Sequence, residues 1–242
     1  MYTFTGCSGF HYDDWKRLFY PEELSKSEWL PYYAEHFKTV EINNSFYRIP
    51  KKKTLEKWHG QTPGNFRFTM KGNRYITHRK KLVDDEHMRE RLKFFYEVIE
   101  VLEGKLGCVL WQIPGNLHRK DEKLEKFCSR LSPDFKNVME FRHKSWFVEP
   151  VMEILKKHNV SYCILSAPDN LPEQFITTSD TAYVRFHGKK EWYRYNYSDK
   201  ELKEWSDRIK ELKAERVYLY FNNDYEAHAV FNGQKMRELL DE

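Results

Sequence analysis

The stretch Val138-Met139-Glu140-Phe141-Arg142-His143-Lys144-Ser145-Trp146 changes character halfway along. It begins as a run in which apolar Met139 and Phe141 alternate with charged Glu140 and Arg142. A polar turn follows, then a helical pattern carrying Val151, Ile154 and Leu155. Alternation with period two marks a strand with two unlike faces, and spacing of three or four marks a helix. The same passage from alternating run through polar turn to helix recurs along the chain, so the polar ends of these runs are expected to meet in one place.

Upstream, the runs are Tyr2 to Cys7, ending in the turn Gly6-Cys7-Ser8-Gly9; Thr39-Val40-Glu41-Ile42-Asn43; Phe66 to Lys71, stopped by Gly72; and the nearly all-apolar Leu106 to Ile113, ending at Gln112-Ile113-Pro114-Gly115. Downstream they are Val160 to Leu165, Ala182 to His187 and Arg216 to Phe221, the last leading into Asn222-Asn223-Asp224. Helices are expected from Glu28 to Phe37 with Ser27 as cap, over Lys51 to His59, from Asp85 to Glu103 closed by Gly104, near Asp121 to Leu131, from Ser198 to Lys213, and at the end to Leu240. Tyr75 to Lys81 reads as a polar loop, and the Pro-containing segment after Ser166 carries little helix signal.

Eight strands separated by mostly helical connections imply a parallel sheet, and eight such units in 242 residues fit one closed (β/α)8 barrel, a TIM barrel, with residues 1–242 as a single domain. An open doubly wound sheet would want a Gly-rich phosphate turn after a strand, which is missing. In a closed barrel the more apolar face of each strand meets the helices and the other lines the interior. That rule sends Glu41 and Asn43, then Arg67, Thr69 and Lys71, then Glu140 and Arg142, Arg185 and His187, and Tyr218, Tyr220 and Asn222 inward. His143 has the opposite parity and is read as a loop or packing residue. Most of the inward polar residues fall at C-terminal strand ends, where barrel enzymes place their sites.

Composition narrows the class. The 41 Lys+Arg face 37 Asp+Glu, a net charge of +4 that neither requires nor excludes a nucleic-acid partner. Cys7, Cys108, Cys128 and Cys163 show no zinc-site spacing and are expected as reduced, buried thiols, with Cys7 as a minor nucleophile variant. Neither a leader-like N-terminus nor an apolar run near the ~18 residues of a membrane span is present, so the expectation is a soluble, cytoplasmic protein with no membrane partner.

Several motifs are similar to one family. Gly6-Cys7-Ser8-Gly9-Phe10 with Tyr12, Trp15 and Phe19-Tyr20-Pro21, and Thr39 to Asn43 with Ser45-Phe46-Tyr47, resemble the DUF72 family, also called YecE-like. So do Glu140-Phe141-Arg142-His143 with Ser145-Trp146, Val184 to Gly188, and Tyr220 to Asp224 with His228-Ala229-Val230. The resemblance runs from about residue 5 to the end. It implies a TIM-barrel fold, in agreement with the strand count, and brings no established reaction, substrate or cofactor.

The expected function is an enzyme acting on a small anionic substrate, bearing phosphate or carboxylate, by acid/base or hydrolytic chemistry. Glu41, Glu140, His187 and Asp224 are the candidate proton-moving groups, His187 because it titrates near neutrality. Lys71, Arg142 and Arg185 would hold the anion, and Ser8, Asn43, Gln112, Asn222 and Asn223 would add polar contacts. Tyr12, Trp15, Tyr47 and Trp146 would wall the pocket. One alternative is a metal-dependent phosphodiester hydrolase on nucleic acid, with carboxylates and His11, His78, His143 and His187 as ligands and Lys51-Lys52-Lys53 and Arg79-Lys80-Lys81 on phosphates. A divalent metal is thus compatible with the composition, although no ligand motif names one. The other alternative is a barrel that binds a ligand without turning it over.

Overall fold

A computed structural model describes residues 1–168 and 171–241. Eight parallel strands, β1 (Tyr2–Cys7), β2 (Thr39–Ile42), β3 (Arg67–Lys71), β4 (Leu106–Ile113), β5 (Asn137–Phe141), β6 (Ser161–Ser166), β7 (Thr181–Phe186) and β8 (Arg216–Phe221), close into a barrel in sequence order. Closure is made by β1 and β8, paired in register from Tyr2 opposite Arg216 to Cys7 opposite Phe221. Between β1 and β2 the backbones come so close at Gly6 that a Cβ there would lie 2.1 Å from the Thr39 carbonyl oxygen.

The helices are α1 (Trp29–His36), α2 (Asn44–Tyr47), α3 (Lys52–Gly60), α4 (Glu86–Ile99), α5 (Asp121–Cys128), α6 (Glu149–Lys157), α7 (Asp199–Lys210) and α8 (His228–Leu240). None is long and apolar enough to cross a membrane. In α4 the buried positions Met88, Leu92, Phe95, Val98 and Ile99 follow the helical period. Each such side chain contributes roughly 1.5–3 kcal/mol relative to an exposed one. Asp85 starts the helix by accepting the Met88 N–H at 2.9 Å. Its end comes earlier than Gly104 suggests, because the chain tightens into a 3-10 turn at Glu100–Lys105. Ser27 does not cap α1. Glu28 holds that position, and its carboxylate accepts from the Ser25 backbone and hydroxyl instead. The expected loop after β3 is a π-helical turn over Tyr75–Arg79, anchored where Asn73 Oδ1 accepts the Tyr75 N–H at 3.1 Å.

Outward strand residues pack under the helices. Trp111 sits against Phe95 and Phe127, Phe141 stacks on Trp146, and Phe186 stacks on Phe221 with ring centroids 4.3 Å apart. The inward residues form layers of rising polarity. At the bottom Phe4 stacks on Tyr218 at 4.8 Å. Above it the Tyr220 hydroxyl bonds to both Thr39 Oγ1 (2.6 Å) and Thr69 Oγ1 (2.8 Å). Above that the interior is ionic. Arg67 lies low on β3, where its guanidinium donates to the Gly64 and Phe66 carbonyls, far from that upper layer in the climb of the strand.

Candidate functional site

The upper layer is one continuous chain of charge. Arg185 on β7 reaches both ways, donating from Nη2 to Glu41 Oε1 on β2 (2.6 Å) and from Nη1 to Glu140 Oε2 on β5 (2.5 Å). The other Glu41 oxygen accepts from the Tyr183 hydroxyl at 2.6 Å. Glu140 Oε1 accepts from Arg142 Nε and from Gln112 Nε2 at 3.0 Å. Arg142 continues to His187 Nε2 at 2.9 Å, and the Asn222 amide meets His187 Nδ1 at 3.0 Å. Glu41, Glu140, Arg185 and His187 are buried to within 1% exposure, so their polar groups depend on neighbours rather than on water, while Arg142 keeps a partly exposed edge.

That arrangement decides protonation. Burial alone would raise the pKa of Glu140, but the adjoining Arg142 and Arg185 more than offset it and hold the carboxyl well below its ordinary range. Burial lowers that of His187, and the same two guanidiniums lower it further, so the imidazole is held neutral. The carboxylate and the neutral imidazole are thereby held as a fixed pair. They form a frame. Glu41 is likewise committed, with both oxygens engaged.

Lys71 differs. It ends β3 in the same mouth, yet no hydrogen bond or ion pair reaches its Nζ among the described residues. Its neighbour is the ring of Phe46, on α2, with Nζ 4.7 Å from the centroid. Desolvation, with Arg185 beside it, brings the ammonium down to about 8. The same Phe46 ring also meets His78, edge-on at 4.8 Å, whose Nδ1 bonds to Thr77 Oγ1 at 2.9 Å. Burial and the charges of Lys71 and Arg74 push His78 down to about 4, so it too is uncharged at neutral pH.

The remaining expected site residues divide into groups. Tyr12 and Asn43 both bond to the Ser8 carbonyl, at 2.6 and 3.0 Å, and line a cavity of about 470 Å³ between the β1 loop and α3 with Gly9, Lys57 and Trp58. The Ser8 hydroxyl is sealed nearby. Asp224 follows β8 and stays outside the ionic chain, next to Tyr12. Desolvation raises its carboxyl to about 6. Trp15 is fully buried with its indole N–H on the Asp224 carbonyl at 2.8 Å, and Trp146 is equally buried on the Leu117 carbonyl. These two are core residues, not pocket walls. Tyr47 is 69% exposed on the rim. Asn223 points away from the mouth and ties the Tyr195 carbonyl to Asn232. Cys7 faces the helices, its N–H donating to the Tyr33 hydroxyl, and burial pushes its thiol far up, so it is a packing residue.

No group of three or more His, Cys, Asp and Glu is arranged to hold a metal ion among the described residues. The histidines weighed for that role are dispersed. His11 lies on Trp29, His78 on Phe46, and His143 stacks on His118. Of the basic runs, Lys51, Lys52 and Lys53 are exposed to solvent and Lys80 is paired with Asp85 at 2.6 Å.

Two participants were missed in the sequence. Tyr183 has the same parity as Arg185 and His187, so the alternation already assigned it inward. Trp192, in the loop after β7, lies under the Arg142 guanidinium at 4.5 Å and gave no signal beyond the aromatic content of that loop.

An eight-stranded parallel barrel with its charged layer at the C-terminal strand ends is a TIM barrel. Within that class the chain belongs to the family described as "Protein of unknown function DUF72", whose model matches residues 4–242. It is 29% identical to the UPF0759 protein YunF of Bacillus subtilis over 92% of this chain and 90% of that protein. Among solved structures, a DUF72 family protein of Thermotoga maritima is similar along the whole of both chains, with 32% identity and a TM-score of 0.90. One of Enterococcus faecalis has 26% identity over 100% of this chain and 98% of that one, with a TM-score of 0.82.

Proposed function

We propose that the barrel mouth is the site of an enzyme acting on a small polar substrate that bears a phosphate or carboxylate, with Lys71 as the group that moves protons. The observation that carries this reading is the unpaired Lys71 ammonium. The paired ions around it cancel, two carboxylates (Glu41, Glu140) against two guanidiniums (Arg142, Arg185), which leaves the lysine as the local excess charge. A desolvated ion without a counter-ion is costly, and an anionic group set against Nζ removes that cost. With its pKa near 8, Lys71 is on the order of a tenth free amine at pH 7, enough to take up and return a proton during turnover. The saturated chain beside it then acts as a rigid, pre-oriented wall.

Thermal unfolding with inorganic phosphate and a panel of small carboxylates tests this. The wild type is expected to gain stability with ligand, and Lys71→Met to lose that response while keeping its far-UV spectrum. The response should weaken as the pH is raised past 8, because the amine loses its charge. Equal stabilisation of wild type and Lys71→Met by the same anions would sink the proposal.

A further inference from the structure

We infer that Lys71 is an imine-forming lysine, its Nζ attacking the aldehyde or ketone carbon of the small anion-bearing substrate. The inference rests on the reading of the mouth given above and adds the reacting group of the substrate. Three features of geometry support it. First, Nζ lies against the Phe46 ring rather than a carboxylate, although Glu41 and Glu140 are near enough to act on its charge. Arg185 has taken the facing oxygens of both acids. A lysine kept only to hold an anion gains from staying charged, whereas this packing favours the free amine. Second, Lys71 is partly exposed, and its Nζ, not among the sealed polar atoms, keeps some contact with solvent. Third, uncharged His78 packs on the same phenyl ring, close enough for the Lys71 charge to act on it, and brings a proton acceptor into the neighbourhood.

The step balances without a co-reactant. The ammonium first releases a proton. The nitrogen lone pair then forms the C–N bond, and the carbonyl π pair moves to oxygen, which takes that proton. The carbinolamine next transfers a second N–H proton to its hydroxyl and expels water as the nitrogen lone pair closes the C=N bond. In sum, Lys–NH3+ and O=C give Lys–NH+=C and H2O. The positive charge stays where the ammonium stood, so the step carries no net charge into or out of the mouth.

The test is reductive trapping. The full chain is incubated at pH 7.5 with pyruvate, glyoxylate or glycolaldehyde phosphate and sodium cyanoborohydride, then examined by intact mass and peptide mapping. At that pH a lysine near 8 has a free-amine fraction roughly 200-fold above one at the ordinary 10.5. Labelling at Lys71 should therefore exceed that at solvated Lys51, Lys52 and Lys53 by at least about tenfold, and be competed by inorganic phosphate. That comparison is internal to the wild type and needs no variant to fold. Lys71→Arg should keep the phosphate-induced thermal shift and lose the preferred adduct. If phosphate stabilises the wild type but labelling is spread evenly over its lysines, the imine is refuted and the anion site stands. If phosphate gives no shift and Lys71 no preference, both fall.

Discussion

Glu140 and Lys71 occupy the same barrel mouth, on β5 and β3, and are read from sequence by the same rule, yet their circumstances are opposite. Glu140 is met by two guanidiniums and an amide, and its charge is fixed. Lys71 meets a phenyl ring, and its charge is poised. The difference follows from Arg185, whose fork is wide enough to engage acids on two strands at once and so leaves neither acid for the lysine. A buried ionisable group with all its partners in place is a structural member. The neighbour left without those partners is the one to which the proposed function gives the chemistry. The contrast can be broken by removing the shared partners, or sharpened by removing the unpaired group.

The largest effect is expected from Glu140→Ala. It strips the carboxylate from Arg142 and one of two carboxylates from Arg185, and breaking a buried pair in this way costs about 3–5 kcal/mol. Urea denaturation at pH 7 measures it, and a loss no greater than that of an exposed carboxylate would mean that water reaches the chain. The acid limb should follow. Glu140 is held below its ordinary 4.5, so its contribution is complete above that value and is lost as the pH falls through the folded pKa. His187 has the same sign, since it is held neutral in the fold but charges in the unfolded chain from about 6.5 downward. Wild-type stability should therefore decline from about pH 6.5 into the acid range, and the Glu140→Ala curve should be flatter.

Lys71→Met should act in the other direction. Because the folded pKa is depressed from 10.5 to about 8, the folded state binds fewer protons between those values. The penalty for holding the ammonium is complete below 8 and fades as the pH rises to 10.5. The variant is expected to be more stable than wild type at pH 7, by on the order of 1–3 kcal/mol, with the advantage shrinking at pH 10. A destabilised variant at pH 7, or an advantage independent of pH, would show that the lysine is already neutralised.

Much of this layer was legible before any coordinates. Strict alternation along β2, β5 and β7 was enough to send Glu41, Glu140, Arg142, Arg185 and His187 to one place, because a closed barrel leaves inward side chains no other destination. Parity says which side a residue faces, not which partner it wins. Nothing in the spacing could reveal that Arg185 would take both acids, so Glu41 and Glu140 were read as proton carriers and Lys71 as one clamp among three. The rule also ends with the strand. Asp224 lies beyond Phe221, where the period of two no longer applies, and it falls beside Tyr12 rather than in the chain. Trp15 belongs to a loop whose fold depends on contacts more than 200 residues away, including the Asp224 carbonyl. Tyr183 shares the parity of Arg185 and His187, so the rule that sends them inward sends it there too.

The smallest effect belongs to a pair with the same chemistry and a different solvent. Lys203 and Asp207 face each other one turn apart on α7, each more than half exposed. Lys203→Ala removes an ion pair just as Glu140→Ala does, but Asp207 is left to water, which solvates it nearly as well as the ammonium did. The urea midpoint should stay within error of wild type, with only a slight salt dependence lost. Were it to fall as far as that of Glu140→Ala, the stability of the barrel mouth could not be ascribed to burial of its charges. An unchanged midpoint locates the cost of breaking Glu140 in the guanidiniums it abandons, Arg185 wholly buried and Arg142 with little water to turn to.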